Sequence, residues 1–328
     1  MPKMVHKLWR QFPRVQTQLQ QLQPYLVDVV TLPNQPIHKR ILALLQSGGK
    51  LLRPGLFYLF TEFGEQHDED ALRAGAASLE LLHVATLIHD DVIDRSPLRR
   101  GVTTIHTLYG SRNAVYAGDY LFTVYFNEVM KATHDMAELQ LNINSMRDIL
   151  IGELEQMTLN YKRDVTEDEY FQEISGKTAE LFWLSCRQGA SLSHSSQAVV
   201  DLAGQIGMTI GQAYQILDDI LDYDGQSKAT KKPVLEDLKS GVYSLPLILA
   251  MKGAGQVFKP YLAKKDQMTS DDMVQVQRLV TQYDGVGQAK AKAAELTQQA
   301  LALIDQLPDQ PVKQDLATLT SWLLGRQQ

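Results

Sequence analysis

Cysteine is all but missing from this 328-residue chain, which carries one, Cys186. A lone cysteine excludes an internal disulfide framework and a cysteine-based zinc cluster, and it suits a reducing compartment. We read Cys186 as a small core residue. Long hydrophobic runs are also absent. No stretch reaches the ~18 uninterrupted apolar residues of a membrane-spanning helix, and Met1-Pro2-Lys3-Met4-Val5-His6 lacks the charged-then-apolar order of a signal peptide. No amphipathic basic segment offers a stable membrane anchor. The 32 Lys and Arg are scattered through a chain of net charge -6, leaving no basic block for a nucleic-acid backbone. The expectation is a soluble, cytoplasmic protein without a nucleic-acid partner, in which any anionic ligand is met by cations gathered locally.

Strand-like alternation is scarce as well. Apolar residues recur at spacings of three and four over Ala71 to Asp94, Tyr116 to Met130, Met146 to Tyr161 and Leu202 to Tyr223. Gly48-Gly49, Gly64, Gly101, Gly110, Gly225, Gly241 and Gly285 fall between these segments, and Pro233 and Pro246 flank one long polar loop. With no Pro/Ser/Gly linker and no solenoid repeat, the pattern predicts an all-α chain of about ten helices forming a single domain over residues 1–328. The Ala- and Gln-rich segment Lys290 to Leu307 reads as a peripheral packing helix.

Two segments stand out against this background. His83-Val84-Ala85-Thr86-Leu87-Ile88-His89-Asp90-Asp91-Val92-Ile93-Asp94 is an apolar helix ending in three carboxylates, with His83, Leu87, Asp90 and Asp94 on one face. Gly211, Gln215, Asp218 and Asp222 repeat the same four offsets in a segment ending Asp218-Asp219-Ile220-Leu221-Asp222. An isolated Asp pair usually caps a helix, as Asp271-Asp272 after Thr269-Ser270 is expected to do. Carboxylates at a helix C-terminal end oppose the macrodipole instead, and two matching clusters beside apolar surface call for cations. Hard oxygen donors suit magnesium, which keeps waters and shares substrate phosphates.

Cations accompany these clusters. Gly48-Gly49-Lys50-Leu51-Leu52-Arg53-Pro54 places two glycines before Lys50 and Arg53 at a helix entrance, a setting that suits an anion. Arg99-Arg100-Gly101 follows the first acidic motif, and Lys228, Lys231 and Lys232 follow the second. Ser175-Gly176-Lys177-Thr178 interrupts a helical stretch with a glycine. His83 lies about 10 Å up the helix from Asp90, a distance that suits a second anion. His89 is left without a role.

These residues, in this order from about residue 40 to 250, resemble the trans-isoprenyl diphosphate synthases, or polyprenyl synthetase family, of the medium- to long-chain kind. The resemblance implies a bundle of antiparallel helices around a deep central cavity, usually dimeric, with the acidic motifs facing across its mouth. It implies that Asp90, Asp94 and Asp218 ligate Mg2+, with Asp91, Asp219 and Asp222 supporting directly or through water. It further implies that Arg99, Lys177, Thr178, Gln215 and Lys232 hold an allylic diphosphate, and Lys50, Arg53, His83 and Arg100 hold isopentenyl diphosphate. The partner would be a second copy of the chain, or another subunit in a heteromer. Two positions depart from the family pattern: the loop reads Lys231-Lys232-Pro233-Val234-Leu235-Glu236-Asp237, and Ser244 stands where Thr is usual.

The implied reaction is head-to-tail condensation of the two diphosphates. Ala85 and Thr86, five and four residues before Asp90, stand where short-chain relatives resemble one another in carrying a bulky aromatic, so a product of twenty carbons or more is expected. A class I terpene cyclase normally has an Asn/Asp, Ser/Thr, Glu motif second, and non-catalytic prenyl synthase subunits typically lack one acidic motif. This chain keeps both triple-Asp clusters and the set of Lys50, Arg53 and His83.

Overall fold

The computed structural model describes residues 5–47, 49–66, 68–223 and 235–325, with the side chain of Glu236 left out. Helix dominates, as the periodicity requires. The elements are α1 (Pro13–Val29), α2 (Gln35–Leu45), α3 (Leu52–Thr61), α4 (Glu69–Ile93), α5 (Ile105–Tyr109), α6 (Ser111–Ala132), α7 (Met136–Leu159), α8 (Glu167–Ile174), α9 (Glu180–Leu192), α10 (Gln197–Tyr223), α11 (Glu236–Ser240), α12 (Leu245–Leu262), α13 (Ser270–Gln282), α14 (Gly285–Asp305) and α15 (Pro311–Leu324). This exceeds the ten or so expected partly because connectors fold too: α5 and α11 are five residues each.

Local chemistry sets many of the boundaries. Proline occupies the first turn of α1, α2 and α12, where its missing N–H costs nothing. Thr269 caps α13 and Asp272 returns the bond to the Thr269 N–H, so the Asp271-Asp272 pair belongs to a capping box, as its sequence setting suggested. Gly176 does not break the helix as its sequence suggested. Instead α8 runs through a π-helical turn, Ser175–Ala179, into α9. Between α4 and α5, β1 (Leu98–Arg99) pairs antiparallel with β2 (Val102–Thr103), Arg99 opposite Val102. The two turn residues, Arg100 and Gly101, have φ of 51° and 76°, as a two-residue primed hairpin requires.

The chain divides into two compact units, residues 1–143 with 184–204 and 308–315, and residues 144–183 with 205–307 and 316–328. In the first, α4 packs along α6, and α1 and α3 close on α4. Leu79, Leu81, Leu82, Val84 and Ala85 are fully buried, so α4 is apolar around most of its circumference, as a core helix should be. Its length and composition would also allow it to cross a membrane, but 72% of that window is buried inside the protein. In the second unit α12 packs against α8, α13 and α14. One core there gathers Tyr223, Leu247, Phe258, Val276 and Val280, and another gathers Ile216, Ile220, Tyr170 and Leu245 with the small face Ala289 and Ala293 of α14. This makes α14 the packing helix its composition implied.

A buried carboxylate ties α1 to α6. Glu128, 1% exposed, accepts a hydrogen bond from the Tyr25 hydroxyl at 2.5 Å and pairs with Lys131 at 2.7 Å. Tyr25→Phe removes one donor from a carboxylate that water cannot reach, and is expected to lower stability by about 1–3 kcal/mol. Urea denaturation of the two proteins checks this, an unchanged midpoint counting against it.

Candidate active site

In the first unit the end of α4 carries the first acidic motif. Asp90 is half-buried, Asp91 is buried and Asp94, at the C-cap, is exposed. Asp91 Oδ1 accepts from both Nε and Nη2 of Arg99 at 2.7 Å. Burial raises the proton affinity of Asp91, and the Arg99 guanidinium opposes that rise. The hairpin makes this pair possible, because it folds the chain back so that Arg99 reaches the helix end it has just left.

Arg100, one residue on, meets a different set. Its Nη2 lies 3.4 Å from His83 Nε2 and its Nη1 4.0 Å from Glu80. A Cβ added to Gly49 would come within 2.8 Å of Arg100 Nη1, so the glycine lets the Lys50 loop lie against the guanidinium. His83 is held well below its usual basicity, first by burial and then by Arg53, Arg100 and Arg99. Glu80 moves the other way: burial raises its proton affinity, while Arg100 and Arg53 pull it back. Gly49, Arg53, His83 and Arg100 thus come together at one place, and Lys50 sits half-buried in the loop leading to α3. Glu80 was not anticipated, although a charge within the apolar run Leu72 to Ile88 is a visible signal.

Ala85 is fully buried, whereas Thr86 is half-buried and donates its hydroxyl to the His83 carbonyl at 2.9 Å. Its hydroxyl is thereby spent on its own helix. His89 has a structural place: its ring sits over Gly118 of α6, with Nε2 3.2 Å from the Val115 carbonyl and from Asp119.

In the second unit α10 carries the other motif. Asp218 is exposed, Asp219 is buried and Asp222 is half-buried. Asp219 accepts from the Tyr170 hydroxyl at 2.6 Å and from the Gln215 amide at 2.8 Å, and the Gln215 carbonyl in turn accepts from Thr178 at 2.7 Å. Burial pushes the Asp219 proton affinity well up, against those two hydrogen bonds. Tyr170 left no sequence signal, lying 49 residues from its partner.

Lys177 lies in the π turn, where Gly176 and Gly152 of α7 touch backbone to backbone; a Cβ on Gly152 would fall 2.4 Å from the Lys177 nitrogen. The Lys177 ammonium donates to Gln156 at 2.7 Å and pairs with Glu153 at 3.0 Å, and the Gln156 amide donates to Glu173 at 2.7 Å. Burial raises Glu173 to about 7, with Lys177 opposing. Lys228, Lys231 and Lys232 lie outside the described residues.

Among the described residues no three His, Cys, Asp or Glu side chains form a ready metal cage. What the two helices offer is carboxylates one turn apart, Asp90 with Asp94 and Asp218 with Asp222. These hard oxygen donors fit a divalent cation that keeps part of its water and takes other ligands from phosphate.

Residues 34–280 match the polyprenyl synthetase family. The chain is 59% identical to a geranylgeranyl pyrophosphate synthase from Lactobacillus brevis, covering 98% of this chain and 99% of that one with a TM-score of 0.94. It is 33% identical over 273 residues, 83% of this chain and 84% of the relative, to heptaprenyl diphosphate synthase component 2 of Geobacillus stearothermophilus. A polyprenyl synthase from Caulobacter crescentus, complexed with calcium and isoprenyl diphosphate, is 27% identical with a TM-score of 0.90, and each chain covers 100% of the other. Two triple-Asp helix ends, each with its own cations, on a chain matched over most of its length place this protein in the polyprenyl synthetase family.

Proposed function

We propose that this chain is a magnesium-dependent prenyltransferase, joining isopentenyl diphosphate head-to-tail to an allylic diphosphate to give a trans product of twenty carbons or more. The observation that carries this reading is the coexistence of two intact acidic helix ends with two separate sets of cations and neutral polar groups, Lys50, Arg53 and Arg100 with His83 in one unit and Lys177 with Thr178 and Gln215 in the other. Two diphosphates need two such sets. Similarity to synthases named for geranylgeranyl and heptaprenyl products supports the chain length. The chain acts as one catalytic domain. A second copy of it is the proposed partner. The relative named as a component of heptaprenyl diphosphate synthase supports a second reading, catalytic subunit of a heteromer, which an assay of the purified chain alone separates from the first.

Asp90 with Asp94 on α4, and Asp218 with Asp222 on α10, would each offer a pair of carboxylates to a divalent cation; Asp91 and Asp219 would help indirectly, by fixing Arg99 and Gln215. Magnesium, when bound, would neutralise charge on the diphosphate that leaves the allylic carbon. Lys177, the second amide proton of Gln215, whose carbonyl Thr178 holds in place, and Arg99 would direct donors at that leaving group, favouring ionisation to a resonance-stabilised allylic cation. Lys50, Arg53 and Arg100 grip the diphosphate of the second substrate, and the neutral imidazole of His83 adds a hydrogen bond without adding charge. The isopentenyl double bond then attacks the cation, and the released diphosphate takes the proton lost in forming the new double bond.

The purified chain is expected to need a divalent metal, and Asp90→Ala or Asp218→Ala to lower kcat by orders of magnitude with the circular dichroism spectrum unchanged. Full turnover in excess chelator would remove the metal from the mechanism. Steady-state kinetics with both substrates varied should divide the cations: Lys50→Ala and Arg53→Ala raise KM for isopentenyl diphosphate, while Lys177→Ala lowers kcat for allylic ionisation. A rise in the allylic KM alone for all three would contradict the division. Product chromatography tests the chain-length assignment. Thr86→Phe places an aromatic on the more accessible of the two positions and is expected to shorten the product with chemistry retained. Ala85→Phe should shorten it too, at about 1–3 kcal/mol in stability, because that side chain is already fully packed. A wild-type product that stops at fifteen carbons with isopentenyl diphosphate in excess is the contrary outcome.

A further inference from the structure

We infer that Trp9 is a positioning residue for the loop that grips isopentenyl diphosphate, holding the Lys50–Leu51 peptide through its indole N–H. This rests on the assignment of Lys50 and Arg53 to that substrate, but Trp9 lies before residue 34, where the family match begins. Nothing in the acidic or basic motifs points to it.

The geometry is specific. Trp9 sits in a 3-10 turn, Lys7–Gln11, and is completely buried, with Phe12 edge-on to its ring at 5.9 Å. Its Nε1 donates to the Lys50 carbonyl at 2.6 Å. That carbonyl belongs to the peptide plane whose rotation sets φ of Leu51, and Leu51 stands at +49°, in the left-handed region that a leucine rarely adopts. Relaxing Leu51 to negative φ would swing the Lys50 carbonyl away from the indole. The hydrogen bond therefore locks the turn from which Lys50 leaves the chain and from which α3 begins, Arg53 being in its first turn. Gly55 completes the device: a Cβ there would lie 2.0 Å from the Trp9 ring, so only glycine admits the indole against α3.

A residue that only fills space would affect folding and both substrates alike. One that sets the loop affects one diphosphate. Trp9→Phe keeps an aromatic ring and deletes the N–H, so the predicted result is a rise of about fivefold in KM for isopentenyl diphosphate, the allylic KM staying within about twofold. The full chain is used, and circular dichroism must show wild-type helix content. Equal effects on both substrates, or none on isopentenyl diphosphate, overturn the inference. Lys50→Ala separates this from failure of the underlying reading. If Lys50→Ala raises the isopentenyl KM and Trp9→Phe does not, Trp9 has no positioning role; if Lys50→Ala leaves it unchanged, the loop itself has been misassigned. Should Trp9→Phe not fold, Trp183→Phe with Trp322→Phe leaves Trp9 as the sole tryptophan of three. Its fluorescence should then change saturably with isopentenyl diphosphate in chelator, and a flat titration rejects the coupling.

Discussion

Burial of the middle carboxylate in each acidic motif is the constraint on which the two sites depend. Neighbouring residues on a helix point about 100° apart, so a helix that turns Asp91 or Asp219 inward must turn the adjacent Asp90 or Asp218 elsewhere, while Asp94 and Asp222 lie at or near the helix end. The exposures follow this rule, since Asp91 and Asp219 are 4% and 5% exposed while Asp90, Asp94, Asp218 and Asp222 all see solvent. An inward carboxylate is costly without partners. On α4 the partner is a cation, Arg99, and on α10 it is two neutral donors, Tyr170 and Gln215. Each solution recruits further structure. Arg99 can return to the helix it follows only across a two-residue hairpin, and Gln215 is fixed because Thr178, in a π turn, holds its other end. Such turns are frequent at functional sites, because the extra residue re-aims a side chain without ending the helix.

What the sequence made legible was whatever rests on local spacing. The acidic ends of α4 and α10 were readable because an apolar stripe that finishes in carboxylates contradicts the helix dipole, and the Thr269–Asp272 cap was readable because its chemistry spans three residues. The all-α class followed from periodicity that α4, α6, α7 and α10 keep over many turns. Partners brought from afar were not readable. Trp9 is 41 residues from Lys50 and Tyr170 is 49 from Asp219, and neither stands in a pattern that announces its partner. The glycine before Lys177 was misread as a break because Gly usually interrupts helices; here it allows a close backbone contact with Gly152, which depends on α7.

The carboxyls behind the cations explain how each cluster persists before its anion arrives. Burial first, and then three nearby arginines, depress the basicity of His83, so positive charge gathers around a neutral imidazole. Glu80 supplies some negative charge from beneath, but at 4.0 Å from Arg100 it stands at the outer edge of an ion pair, and burial raises its proton affinity. Glu173 is likewise one step removed from Lys177, reaching it through Gln156, and burial raises its pKa to about 7. Lys177 does touch Glu153 at 3.0 Å, yet that glutamate's side chain is 21% exposed, and solvent weakens the pair. A tight, fully buried ion pair would lock the cation away, since separating it leaves a charge unpaired. At Arg100 and Lys177 the counter-charge is therefore long-range, relayed or solvent-screened, which limits repulsion among the cations without a fully buried ion pair that an incoming diphosphate would first have to break.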